Sequence, residues 1–284
     1  MHIPVLLKET IECLDVKPNG NYIDCTLNGG GHAREILKRN GPKGKVLGIE
    51  IDKEIFGKLK KEKRLIPVND SYVNLKKIVE ENDFKDIDGI LFDIGMSSYH
   101  IDEAERGFSF SKDEPLLMNY SEGLSAEEIL NEWGEKDIEK ILKEYGEEKF
   151  SKKIAKKIVE RRKGEKIKST LQLVSIIKEA TPGWYHHNKT HFATRTFQAL
   201  RIAVNDELNN FRFALPIALE LLNKNGRLVA ISFHSLEDRI IKKFLKERGV
   251  ELKIINKKPI VPGEAEMEDN PRSRSSKLRT AVKI

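Results

Sequence analysis

The chain is poor in cysteine and in long apolar runs, and each shortage narrows what it can be. Its 284 residues include two cysteines, Cys13 and Cys25, with no Cys-x-x-Cys pair. Two such thiols cannot build a disulfide framework or a cysteine-based zinc site. No stretch approaches the about 18 uninterrupted apolar residues that a membrane helix needs, so no membrane partner is expected. The opening Met1-His2-Ile3-Pro4-Val5-Leu6-Leu7-Lys8-Glu9 has no basic region ahead of a long apolar run and no small-residue cleavage site. A cytoplasmic protein is expected, long enough for one large domain or two ordinary ones.

A large charge of one sign is also missing, since the formal net charge is only +6. Its distribution says more. Residues 149–168 carry ten basic side chains against Glu160 and Glu165, and residues 270–284 carry five with no acid. The rest of the chain is net acidic. A basic pole on an acidic body points to a polyanionic partner, nucleic acid first, although a solvated helix face reads the same way.

The first hundred residues alternate short apolar runs with helix-period segments. Strands are predicted over 22–27, 46–50, 65–68 and 89–94, with helices over 32–39 and from about 51 through Lys61. Pro67 places the third strand at a sheet edge. The continuous apolar character of the fourth fits a parallel strand covered on both faces. Between 101 and 203 strand signals are absent. Ser125 with Glu128 and Ser169 with Gln172 make capping boxes, and a helix near 150–158 puts Phe150, Ile154 and Ile158 on one face with Lys152, Lys153, Lys156 and Lys157 elsewhere. A fifth strand is predicted over 226–233, then a helix capped by Ser235 and Asp238. Alternation over 250–254 and 278–284 argues for half-exposed, antiparallel strands that finish the sheet. The expected architecture is a doubly wound α/β sheet, residues 1–100 and 204–284, interrupted by a helical insertion, residues 101–203.

In such a sheet ligands bind beyond the carboxyl ends of the strands, where strand order reverses. The first strand runs into Asn28-Gly29-Gly30-Gly31-His32, where glycines let a backbone approach a ligand. Glu50, at the end of the second strand, offers a bidentate acceptor for a ribose diol. Glycine triplets also serve as plain tight turns. The dinucleotide fingerprint Gly-x-Gly-x-x-Gly is missing, because from Gly29 its third position falls on Arg34, and no Gly-x-x-x-x-Gly-Lys-Ser/Thr loop occurs. Both absences disfavour a nicotinamide-dependent oxidoreductase and favour a cofactor without phosphates, of which S-adenosylmethionine is the common one. Asp93 ends the fourth strand, where it can accept a hydrogen bond from an amine or simply cap the strand. His186, His187 and His191 have no carboxylate or cysteine at ligand spacing, so no metal is expected.

Eight motifs occur in a fixed order: His2-Ile3-Pro4-Val5-Leu6-Leu7, Gly29-Gly30-Gly31-His32, Asp88-Gly89-Ile90-Leu91-Phe92-Asp93, Glu105-Arg106-Gly107-Phe108-Ser109-Phe110, Tyr145-Gly146-Glu147-Glu148, Ala193-Thr194-Arg195-Thr196-Phe197-Gln198-Ala199-Leu200-Arg201-Ile202, Ile231-Ser232-Phe233-His234-Ser235-Leu236-Glu237-Asp238-Arg239 and Asn270-Pro271-Arg272-Ser273-Arg274-Ser275. This string resembles the bacterial ribosomal RNA small subunit methyltransferase H family over essentially the whole chain. The resemblance implies a class I, Rossmann-like S-adenosylmethionine-dependent methyltransferase sheet with an all-helical inserted domain for RNA recognition. It implies methyl transfer to N4 of a cytidine in the decoding region of 16S rRNA, as free RNA or within the small ribosomal subunit. The implied cofactor contacts are Gly30, Gly31, His32, Glu50, Tyr72, Asp93 and His100.

Three departures from the family pattern matter most: Asn28 replaces a glycine, Glu50 an aspartate, and Pro115-Leu116-Leu117-Met118-Asn119 replaces Pro-Leu-Asp-Met-Arg, while Tyr72 and His100 stand where phenylalanine and glutamine are usual. The change at 115–119 leaves open a second reading, a catalytically weakened RNA-binding or ribosome-assembly factor that kept the fold. In the enzyme reading Asp93 or a nearby backbone carbonyl accepts a hydrogen bond from the reacting amine. Phe108, Phe110, Tyr99 and Phe197 are candidate platforms for an extruded base, or else core. Arg106, Lys152, Lys156, Arg195, Arg201, Arg272 and Arg274 are candidate phosphate contacts.

Overall fold

A computed structural model describes residues 4–284. Among the described residues seven strands form one sheet: β1 Asn21–Asp24, β2 Val46–Ile49, β3 Leu65–Val68, β4 Ile87–Ile94, β5 Leu222–Ser232, β6 Leu252–Ile254 and β7 Lys277–Lys283. Their order is β3-β2-β1-β4-β5-β7-β6. The first five run parallel, and β7 is antiparallel to β5 and β6. Every residue of β2 is buried and β4 is buried except at Asp88, as parallel strands covered on both faces require. β3, with Pro67, lies at the edge. The chain leaves β1 toward β2 and β3, then returns to build β4 on the other flank of β1, so strand order reverses between β1 and β4.

Three details differ from the sequence expectations. The helix after β2 stops at Gly57, because glycine is a poor helix former and Lys58, Lys60, Lys61 and Lys63 repel one another beyond it. The helix Ser235–Glu247 is capped one residue earlier than expected, with Glu237 accepting the Phe233 and His234 N–H groups at 2.7 and 3.3 Å. β7 is not half-exposed: Leu278, Arg279, Thr280 and Ala281 are all buried, since the strand lies inside the sheet between β5 and β6.

The chain divides into two compact units, one running to Gly95 and resuming at Leu208–Ile284, the other Met96–Glu207, against the expected insertion of 101–203. The second unit contains helices Ala126–Glu132, Glu135–Glu144, Ser151–Arg162, Thr170–Ala180 and Thr194–Asn205. Among its described residues pairing of β type is limited to an isolated bridge between Pro115 and Ser169. Ile129, Ile138, Leu142, Ile154, Ile158, Leu173, Ile177 and Leu200 fill its core. Ser125 with Glu128 and Ser169 with Gln172 form the expected capping boxes.

Candidate functional site

At the carboxyl end of β1 the chain turns through residues 25–30 into the helix Gly31–Arg39. The turn needs left-handed backbone at Asn28, φ 48°, and at Gly30, φ 74°. Asparagine tolerates this region better than most residues, which accounts for its presence where glycine is usual. Gly30 N–H closes the turn on the Leu27 carbonyl at 2.7 Å. Gly31 is required for a different reason: a Cβ there would lie 2.2 Å from Pro4 Cγ.

Three acids gather around this turn. Asp24 is the last residue of β1, Glu50 immediately follows β2, and Asp93 lies near the end of β4. All are nearly inaccessible, at 1%, 5% and 6% exposure. Glu50 accepts the Asn28 N–H at 2.7 Å and the Asp52 N–H at 2.8 Å. Asp24 Oδ1 accepts the Thr26 N–H at 3.1 Å, and Thr26 Oγ1 in turn accepts the Asp93 N–H at 2.7 Å. That relay links the ends of β1 and β4. Asp24 Oδ2 and Asp93 Oδ1 are buried with no hydrogen-bond partner.

Burial is the main cause of three displaced titrations. It pushes Asp24 and Glu50 up to about 7, against the stabilising N–H bonds just described. Asp93 is pushed to about 8 by burial first, then by the negative charges of Asp24 and Glu237. Buried carboxylates with unused lone pairs at a strand-order reversal suit a ligand that brings amines, hydroxyls or positive charge.

His32 is buried, with Nε2 3.1 Å from the Val5 carbonyl oxygen and Nδ1 3.7 Å from Asp93 Oδ2. A carbonyl only accepts, so Nε2 carries the proton and the imidazole ties the segment before the first helix to the turn. Tyr72 is half-buried, edge-on to Phe92 with ring centres 5.7 Å apart. His100 belongs to the helical unit, where its Nδ1 accepts the Ser97 N–H at 3.2 Å and its ring packs on Phe108 and Tyr120. Asp24 and Thr26 were missed in the sequence. The signal was a carboxylate closing a short strand directly after Tyr22 and Ile23.

The aromatic candidates separate into kinds. Phe108 and Phe197 are core side chains of the helical unit, at 6% and 5% exposure. Phe110 is stacked face to face on His191 at 4.5 Å, and Tyr99 is half-buried. The cations also divide. Arg201 forms a two-pronged pair with Glu207 at 2.9 and 3.0 Å and is 12% exposed, so it is committed to that carboxylate. Arg106 is half-buried and donates to the Asn119 carbonyl at 3.1 Å. Arg195 is exposed and donates to the Glu147 carbonyl. Lys152 is exposed, and Lys156 lies 3.7 Å from Glu160 with both side chains largely in solvent. Arg272 and Arg274 are exposed on the turn Pro271–Ser275. The departing segment 115–119 is a backbone crosspiece: Leu116 N–H reaches the Lys168 carbonyl, Met118 N–H the Arg106 carbonyl, and Ala126 N–H the Leu117 carbonyl. Leu117 and Asn119 leave those bonds intact.

The profile of the MraW methylase family matches residues 1–284. Ribosomal RNA small subunit methyltransferase H of Clostridium botulinum (strain Kyoto / Type A2) is 47% identical over 306 residues, covering 100% of this chain and 99% of that protein. The protein of the same name from Halothermothrix orenii is 44% identical, covering 100% and 98%. Among solved structures, an rRNA methylase from Streptococcus thermophilus aligns over 100% of this chain and 99% of its own, at 9% identity and a TM-score of 0.46. With a profile match across its full length and such relatives, the chain belongs to the MraW methylase family.

Proposed function

We propose that this protein transfers a methyl group from S-adenosylmethionine to N4 of a cytidine in the decoding region of 16S rRNA. The observation that carries the reading is the cluster of buried acids at the ends of β1, β2 and β4, two of whose oxygens, Asp24 Oδ2 and Asp93 Oδ1, have no partner. Family membership and the relatives' names support the reaction class and the RNA. Polar atoms left unbonded in a buried site call for a ligand that completes them.

The residues fit the cofactor's chemistry. The Gly30-Gly31-His32 backbone opens a helix N-terminus beside the turn, Glu50 retains acceptor capacity for a ribose diol, and Tyr72 offers a ring for an adenine. S-adenosylmethionine, when bound, supplies an electrophilic methyl group on a sulfonium. The protein's task is to align the amine, exclude water and take a proton. Cytosine N4 is a weak nucleophile because its lone pair is delocalised into the ring, so alignment is the larger contribution. Asp93 accepts the hydrogen bond from N4 as positive charge develops there. Burial holds its carboxyl at about 8, close to a working pH, where a general base is most effective. Lys152, Lys156, Arg195, Arg106, Arg272 and Arg274 contact RNA phosphates. Arg201, held by Glu207, is left out of that set.

The purified chain, incubated with S-adenosylmethionine and unmodified 16S rRNA or small subunits, should yield N4-methylcytidine by nucleoside mass spectrometry. Absence of the product with both substrates overturns the reading. Asp93→Asn should lower kcat by about 10²–10⁴-fold, the usual worth of a general base.

A further inference from the structure

The helical unit carries a second feature, of which the methyl-transfer reading uses Arg195 alone. A cavity of about 290 Å³ is lined by Lys149, Tyr185, Asn188, Lys189, Thr190, His191 and Arg195. Three lining residues are cations and none is a carboxylate. Lys149 is fixed by aromatic rings: its Nζ lies 4.3 Å from the Trp184 ring centre, 4.9 Å from Tyr185 and 5.3 Å from Phe150. Behind the wall, Glu148 is 2% exposed and accepts the Tyr185 hydroxyl at 2.7 Å and the Phe150 N–H at 2.8 Å. That carboxylate holds the aromatic cluster from inside and does not face the cavity.

Trp184 is the unusual member. It lies on the short helix Gly183–His186 and is 59% exposed, although its edge contacts with Phe150 and Tyr185 hold it in one orientation. A large exposed ring, kept in place beside a cationic pocket, is the arrangement by which single-stranded nucleic acid is bound: bases stack on the aromatic while backbone phosphates meet the cations. The pocket also marks the start of the basic tract 149–168, whose exposed Lys152 and Lys153 follow Lys149 on the helix Ser151–Arg162.

We propose that this pocket is an RNA subsite, in which Lys149, Lys189 and Arg195 take a backbone phosphate of a single-stranded segment and Trp184 stacks on a neighbouring base. The inference rests on the rRNA-substrate reading and adds where on the helical unit the strand is gripped. Asn188 and Thr190 supply neutral hydrogen-bonding groups beside the phosphate position.

The test is fluorescence anisotropy with a short fluorescein-labelled single-stranded oligoribonucleotide at several salt concentrations, using the full chain. Trp184→Ala should weaken binding about 5- to 150-fold, the worth of one stacked base. Trp184→Phe should recover most of that loss. Lys189→Gln should flatten the slope of log affinity against log salt by about 0.7, as for one phosphate contact on a single strand. Both positions are exposed, and unchanged melting curves will separate a binding loss from misfolding. If the wild-type chain binds and methylates RNA while Trp184→Ala and Lys189→Gln bind within twofold of it, the subsite is overturned and the methyl-transfer reading stands. If the wild-type chain binds no oligoribonucleotide at any salt, the subsite falls, and the methyl-transfer reading is decided by the product assay on 16S rRNA and small subunits.

Discussion

The Glu50 carboxylate holds the glycine turn in place, with Oε2 accepting the Asn28 N–H at 2.7 Å. Oε1 accepts the Asp52 N–H at 2.8 Å, so each oxygen already serves one backbone donor and keeps one lone pair for a ligand. Glu50→Gln places an amide NH₂ against one of those donors. A hydrogen bond to a charged group contributes roughly 1.5–3 kcal/mol, so cofactor affinity by calorimetry should fall at least about tenfold, with a lower Tm. Unchanged affinity would remove Glu50 from the cofactor site.

Ligand-free stability should decline as pH rises from 6 to 8.5. Asp24 and Glu50 titrate near 7 and Asp93 near 8 in the folded chain, all above their ordinary values because of burial. Between those values and the ordinary carboxylate range the folded state binds more protons than the unfolded one. Their stabilising contribution is therefore complete below about pH 4 and lost as pH rises through 7 to 8. Asp24→Asn, which cannot ionise, should flatten the profile of Tm against pH. A Tm that climbs across this window in the wild type would contradict the assignment.

Two nearby glycines should respond unequally to the same substitution. At Gly29 a Cβ meets no atom within 4 Å, whereas at Gly31 it lies 2.2 Å from Pro4 Cγ. Overpacking of this kind costs typically about 1–3 kcal/mol. Gly29→Ala should leave Tm within about 1 °C, and Gly31→Ala should lower it by several degrees, on the order of 2–4 °C per kcal/mol for a domain of this class. Equal melting temperatures would show that the Pro4 contact is not made in solution.

How much of this was legible beforehand depends on the range of the interaction involved. The apolar runs of β2 and β4, the edge proline of β3 and the capping boxes at Ser125 and Ser169 are local signals, and each was readable from a few adjacent residues. Glu50 was readable too, from its place after a strand that follows a glycine turn. Asp24 was not, because a carboxylate at a strand end reads alike whether it faces solvent or is 1% exposed. The charge tracts misled more. Counting placed five cations at 270–284, yet Arg279 pairs with Asp238, Lys277 lies 3.9 Å from the same carboxylate, and Lys283 donates to the carbonyls of Leu219, Glu220 and Leu222. Those partners are distant in sequence, so no local window could assign them. Arg201 shows the same limit: nothing local distinguishes a phosphate-binding arginine from one that closes on Glu207.

The pair between Asp238 and Arg279 should be costly to break and cheap to replace. Arg279 lies inside β7, and its guanidinium reaches Asp238 at 2.6 and 3.2 Å, with side-chain exposures of 8% for the arginine and 14% for the aspartate. Removing one partner leaves the other charge buried and uncompensated, which typically costs about 3–5 kcal/mol, whereas replacing both by apolar residues of similar volume is often near neutral. Asp238→Ala should therefore lower the urea midpoint sharply at an unchanged m-value, and the double variant Asp238→Leu with Arg279→Met should recover most of the loss. If Asp238→Ala costs less than about 1 kcal/mol, the pair behaves as an exposed one, and water reaches the guanidinium in solution.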